Sequence, residues 1–240
     1  MKQQKGLDAQ SKYERYYNSI IQEIINARMH FKLYKCLQES GKDYLKELNQ
    51  APGFFNFTIK AHLDAGLMHM FKVFKRQKDS ITIEEFLDFV ESNLELFSTE
   101  AFSKREAGSS YKKQIKNHCP VTPQDVKNDR YKLDGFKQVI KNLMTWRDKK
   151  YAHIDKKFAL GQIDISKDFP IKLTELEDIT TNVADILNRY SRAYDSSTYI
   201  VDMVGTYGVD IVLGAIRLRL EEHRKQLEEL KKGYSLKLKT

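Results

Sequence analysis

The stretch Arg147-Asp148-Lys149-Lys150-Tyr151-Ala152-His153 sets a permanent cation, a carboxylate and a titratable imidazole within seven residues. Cleavage of RNA without a metal ion needs groups of this kind. The ribose 2′-hydroxyl attacks the adjacent phosphorus, its proton must be taken up, and a pentacoordinate dianionic transition state must be stabilised. An imidazole titrates near neutrality and exchanges protons, while a planar guanidinium grips two non-bridging oxygens. In this reading His153 and Arg147 carry those two tasks, and Asp148 orients the arginine or imidazole of a partner chain. Lys149 and Lys150, with Lys156 and Lys157 just beyond, provide phosphate contacts that do not discriminate between bases.

The elements that must position these groups read as helices. Only four prolines occur, and apolar residues recur at three- and four-residue steps almost throughout, which predicts an all-α helical bundle without strands. Residues 10–97 form the N-terminal helices. Ser11 is placed to cap the first, whose stripe runs Tyr13, Tyr17, Ile20, Ile24, Ala27, Phe31, Tyr34 before the Ser40-Gly41 stop. After Pro52-Gly53, the segment Phe54 to Phe74 is apolar nearly all round and should be central. Thr82 with Glu85 makes a capping box for a short helix.

Between 98 and 121 the stripe disappears and Ser, Lys, Glu and Gly dominate, as in a flexible loop or insertion. Thr122-Pro123 opens the motif helix, expected over 122–155, with the stripe Leu133, Phe136, Ile140, Leu143. Arg147 is the next step at the same spacing. It should therefore lie at the edge of a packed surface, where a cation needs a polar partner. A second capping box, Thr174 with Glu177, starts the C-terminal helices over 174–233, the last beginning near Val209 and carrying Ile216, Leu220, Leu227 and Leu230. The whole chain, 1–240, is expected to form one domain.

Six residues along an ideal α-helix separate two side chains by about 120° around the axis and about 9 Å along it. Arg147 and His153 of one chain would then not face one another. Two antiparallel copies about a twofold axis would bring both motifs into one cleft, so a homodimer is expected.

Formal charge +8 favours an anionic partner such as RNA, although 31% charged residues of both signs makes much of this an ordinary solvated surface. Met1 to Gln10 has no apolar leader core, and Cys36 and Cys119 are too few for a disulfide framework, so a cytoplasmic location is expected. The apolar run Tyr199 to Ile216 is interrupted by Asp202, Gly205, Gly208 and Asp210, which argues against a membrane span. His62 and His69 stand one heptad apart, but no further ligands accompany them; neither a metal nor a cofactor is expected. His30, His118 and His223 form no constellation.

The motif resembles that of the HEPN superfamily: an arginine, four to six residues, then a histidine near the end of a long helix, often with a polar residue after the arginine. Arg147, Asp148 and His153 stand at those positions. The fuller string, Trp146 to His153 followed by Ile154 and Asp155, is most similar to the abortive-infection AbiU-type branch. The resemblance implies an α-helical, usually dimeric fold and commonly RNase activity in phage-defence or toxin systems. It also implies a composite site across the dimer and a cognate antitoxin or defence partner. Asp155 stands where HEPN toxins paired with nucleotidyltransferases carry tyrosine, so regulation by tyrosine modification there is not expected. The alternatives are a non-catalytic HEPN module that binds RNA or a protein partner, and a helical dimeric scaffold. In either, Arg147 would pair with Asp148 or another carboxylate and His153 would sit at a helix C-terminus, where its charged form suits the dipole.

Overall fold

Helix-favouring periodicity is realised throughout a computed structural model that describes residues 8–75, 80–106, 117–153, 155–200 and 207–237. Eleven α-helices and no strand occur among the described residues. In chain order they are α1 (Ala9–Glu39), α2 (Leu45–Leu48), α3 (Pro52–Phe74), α4 (Ile83–Glu91), α5 (Thr99–Arg105), α6 (Pro123–Asp134), α7 (Lys137–Trp146), α8 (Lys156–Ala159), α9 (Ile165–Asp168), α10 (Leu173–Asp195) and α11 (Tyr207–Lys237). A 3₁₀ turn covers Leu94–Phe97 and a π turn covers Arg147–Tyr151. Among the described residues no helix is long and apolar enough to cross a membrane.

The helix starts follow local capping chemistry, in places one turn from where the sequence pattern puts them. Asp8, not Ser11, caps α1: its carboxylate accepts the Ser11 N–H at 2.7 Å. Thr82 accepts the N–H of Glu85. Thr122 and Asp125 form a reciprocal capping box ahead of Pro123, which satisfies two of the otherwise unpaired amides of α6. The Thr174–Glu177 box is not used. Glu175 reaches back to the Lys172 N–H at 2.7 Å, so α10 begins at Leu173.

Two further expectations are corrected. The motif helix is not continuous over 122–155: α6 ends at Asp134, α7 runs from Lys137 to Trp146, and the π turn stops at Tyr151. Within 98–121, Ser98 caps the seven-residue helix α5, whose Phe102 is fully buried; residues 107–116 lie outside the described residues, as does Ile154.

The chain's contacts group into two units, 1–31 with 64–202 and 32–63 with 203–240. The first has the larger core. Tyr13, Ile20, Ile24 and Phe31 of α1 are buried, as are Leu67 and Met70 of α3, Phe86 and Leu87 of α4, and Ile179, Val183, Leu187 and Tyr190 of α10. Burial of each such side chain is worth about 1.5–3 kcal/mol. Edge-on aromatic contacts bind it further, Tyr13 with Phe97 at 5.1 Å and Phe86 with Tyr190 at 5.5 Å. Gly66 lets α3 approach Phe31: a Cβ there would stand 2.5 Å from the ring. Asp129 is fully buried and accepts the Tyr190 hydroxyl at 2.9 Å; burial pushes its carboxyl up from the usual value. In the second unit Leu37, Phe55 and Leu213 make a small core, and Arg217 donates to Glu47 at 2.8 Å. Leu227 and Leu230, near the end of α11, are exposed.

Candidate active site

The π turn is where the chain stops being an ordinary helix. Its defining bond runs from the Ala152 N–H to the Arg147 carbonyl, five residues back, at 2.7 Å. Both ends of the turn are tied to distant parts of the first unit. The Trp146 indole donates to the Phe169 carbonyl at 2.8 Å, and the Tyr151 hydroxyl donates to Asp64 at 2.5 Å while its ring packs on Phe71. Asp155 then turns its carboxylate to the Phe158 N–H at 3.0 Å and caps α8, so the chain leaves the α7 axis before that point. A widened turn held at both ends is a common way to aim a functional side chain.

Arg147 is aimed inward. Its side chain is 22% exposed and donates from Nη1 to Asp148 Oδ1 at 2.5 Å. The same carboxylate receives the Lys75 ammonium at 3.3 Å. Burial pushes the Asp148 carboxyl up, but the hydrogen bonds and charges of Arg147 and Lys75 outweigh it and hold the group below the usual carboxylate range. The anion expected to serve a partner's arginine or imidazole is thus engaged by its own chain's cations. Arg147 forms one wall of a pocket of about 330 Å³, with Met68, Phe71, Lys72, Lys75 and Tyr151 among the other walls. His153 lies past the turn, exposed, and is not part of that lining. Among the described residues nothing hydrogen-bonds its ring. The ideal-helix geometry of 120° and 9 Å therefore does not hold here, because the last turn is π and the chain bends at Ala152 and His153.

The AbiU2 HEPN family matches residues 10–212. The chain belongs to that family. No curated protein and no solved structure matches it.

In this AbiU2 HEPN chain the four motif lysines do not act alike. Lys149 is drawn to Asp155 at 3.4 Å. Lys150 lies over the rings of Trp146 and Tyr151 at 5.1 and 5.0 Å. Lys156 and Lys157 sit exposed on α8, beyond the bend. The cations that do join Arg147 at the pocket are Lys72 and Lys75, more than seventy residues earlier; the basic end of α3 is visible in sequence, but nothing there links it to the motif. Three of the other histidines have structural partners. His69 Nδ1 is 2.6 Å from Glu23 and its ring stacks on His30, while His118 donates to the Ala193 carbonyl and stacks on Phe102. Among the described residues no group of three or more His, Cys, Asp or Glu is arranged to hold a metal.

The Tyr151–Asp64 bond is short and charge-assisted, and burial, the bond and the nearby carboxylate together raise the phenol well above its ordinary value. Tyr151→Phe keeps the ring packing but strands Asp64. We expect a loss of about 2 kcal/mol, a drop in Tm of roughly 4–8 °C, and a weakened hold on the π turn. Thermal melts of the two proteins check this; equal midpoints would mean that the hydroxyl holds nothing.

Proposed function

We propose that this AbiU2 HEPN protein is a homodimeric endoribonuclease of a bacterial phage-defence or toxin-type system, cleaving RNA by 2′-hydroxyl attack without a metal ion. The observation that carries the reading is the partly buried guanidinium of Arg147, fixed by Asp148 on the wall of a cation-lined pocket at the end of the HEPN motif helix. His153 takes the 2′-hydroxyl proton, Arg147 holds the non-bridging oxygens as negative charge builds on them, and the 5′-oxygen takes a proton from water as it leaves. Asp148 sets the fork of Arg147 and is a positioning residue. Lys149, Lys150, Lys156 and Lys157 hold flanking phosphates.

The reaction leaves a 2′,3′-cyclic phosphate on one fragment and a 5′-hydroxyl on the other. Purified protein incubated with end-labelled RNA and a chelator should give fragments with those ends. Fragments with 5′-phosphates, or cleavage abolished by the chelator, would overturn the mechanism. A binding-only HEPN module is the second reading, favoured by the engagement of Arg147 with Asp148; it predicts a gel shift with intact RNA.

A further inference from the structure

We propose that the pocket beside Arg147 is a subsite for one nucleotide of single-stranded RNA, and that Lys75 is its phosphate-binding residue. The inference rests on RNA being the ligand of the proposed site and adds a residue that the motif does not contain. Three cations, Lys72, Lys75 and Arg147, line the pocket. Two carboxylates answer them, and they are unequally committed. Glu23 takes Lys72 at 3.1 Å together with His69. Asp148 is shared, with Arg147 at 2.5 Å and Lys75 only at 3.3 Å. One carboxylate between two cations leaves a surplus positive charge, matching the single negative charge of a phosphodiester. Lys75 is the looser partner. Its ammonium, on a flexible stem, turns to an incoming phosphate without disturbing the single Arg147–Asp148 hydrogen bond.

The remaining walls are of the kind a nucleoside needs. Met68, Phe71 and Tyr151 present apolar surface between the cations, and about 330 Å³ admits one base or sugar rather than a duplex. Single-stranded RNA is held in this manner, with phosphates on basic side chains and unstacked bases against apolar and aromatic ones. Tyr151 and Arg147 belong to the same π turn, so the nucleotide bound here would be contiguous with the one at the guanidinium.

The test is binding of a fluorescent, non-cleavable 2′-O-methyl RNA oligomer, followed by anisotropy from 50 to 200 mM salt. Lys75→Met should weaken binding roughly tenfold at 50 mM and about fourfold at 200 mM, lowering the logarithmic salt slope by about 0.7, the release of one counterion from a single strand. Lys75→Arg should bind as wild type. Lys104→Met, at an exposed pair with Glu100, controls for a general loss of charge and should have no such effect. If Lys75→Met does not fold, Lys75→Gln takes its place. Equal affinity and slope for wild type and the Lys75 variant, an equal loss with Lys104→Met, or no binding by wild type overturns the subsite. Cleavage of ordinary RNA is read in parallel. Wild type that binds through Lys75 but never cuts overturns the endoribonuclease and leaves the subsite standing. Wild type that cuts while Lys75→Met binds normally does the reverse.

Discussion

Arg147→Ala and His153→Ala should each lower RNA cleavage at least a hundredfold while shifting Tm by no more than a few degrees. The size follows from what each group supplies: one fixed donor to a developing oxyanion is worth about 10²–10³ in rate, and positioned proton transfer about 10²–10⁴. The small effect on stability follows from the surroundings. His153 is exposed, with no partner among the described residues for its ring. When Arg147 is truncated, Asp148 keeps Lys75, and its side chain is 46% exposed, so no buried charge is abandoned. Arg147→Lys separates charge from geometry: it preserves the cation but not the two-pronged grip, and should retain only a small part of the activity. Growth is a second readout, since expression of wild type should slow bacterial growth and either alanine variant should relieve it. If both variants cut RNA at the wild-type rate, the catalytic assignment is wrong.

What the sequence makes legible here is local chemistry. Thr122, Pro123 and Asp125 lie within four residues and specify the start of α6 without help from the rest of the chain. The Arg147–His153 motif is likewise written in one short stretch. The shape of the turn that carries it is not, because the partners that fix that turn are remote: Asp64 lies 87 residues before Tyr151, and Phe169 lies 23 after Trp146. Extending the stripe of α7 by the α-helical period therefore places Arg147 at a packed edge, where it lies, but does not foresee the π turn and bend that lead to His153. Lys75 is invisible for the same reason, being 73 residues from Asp148. The α5 segment shows a different limit. It is anchored by one fully buried residue, Phe102, and one large apolar side chain, with only Ala101 beside it, generates no periodicity to read.

The geometry of that turn also bears on how a complete centre is assembled. Arg147 faces a pocket whose walls do not include His153, and the π turn and the bend lie between them. A centre that takes its arginine from one chain and its histidine from the other satisfies both placements. Such a dimer has two cross-chain pairs. Neither an Arg147→Ala homodimer nor a His153→Ala homodimer then contains one. A mixed dimer does: the Arg147→Ala chain brings an intact His153, and the His153→Ala chain brings an intact Arg147. Co-expressing the two variants with different tags and isolating the mixed species should recover up to about half of wild-type RNase activity, because losses within one functional unit are not additive. The activity should survive a chelator. A mixed dimer as inactive as its parents, beside an active wild type, rules out the cross-chain pair. It would leave either a pair formed within one chain after the turn rearranges, or a site needing all four side chains. The double variant Arg147→Ala/His153→Ala separates these last two: paired with wild type, it keeps half the activity if the pair is within one chain and none if all four are required.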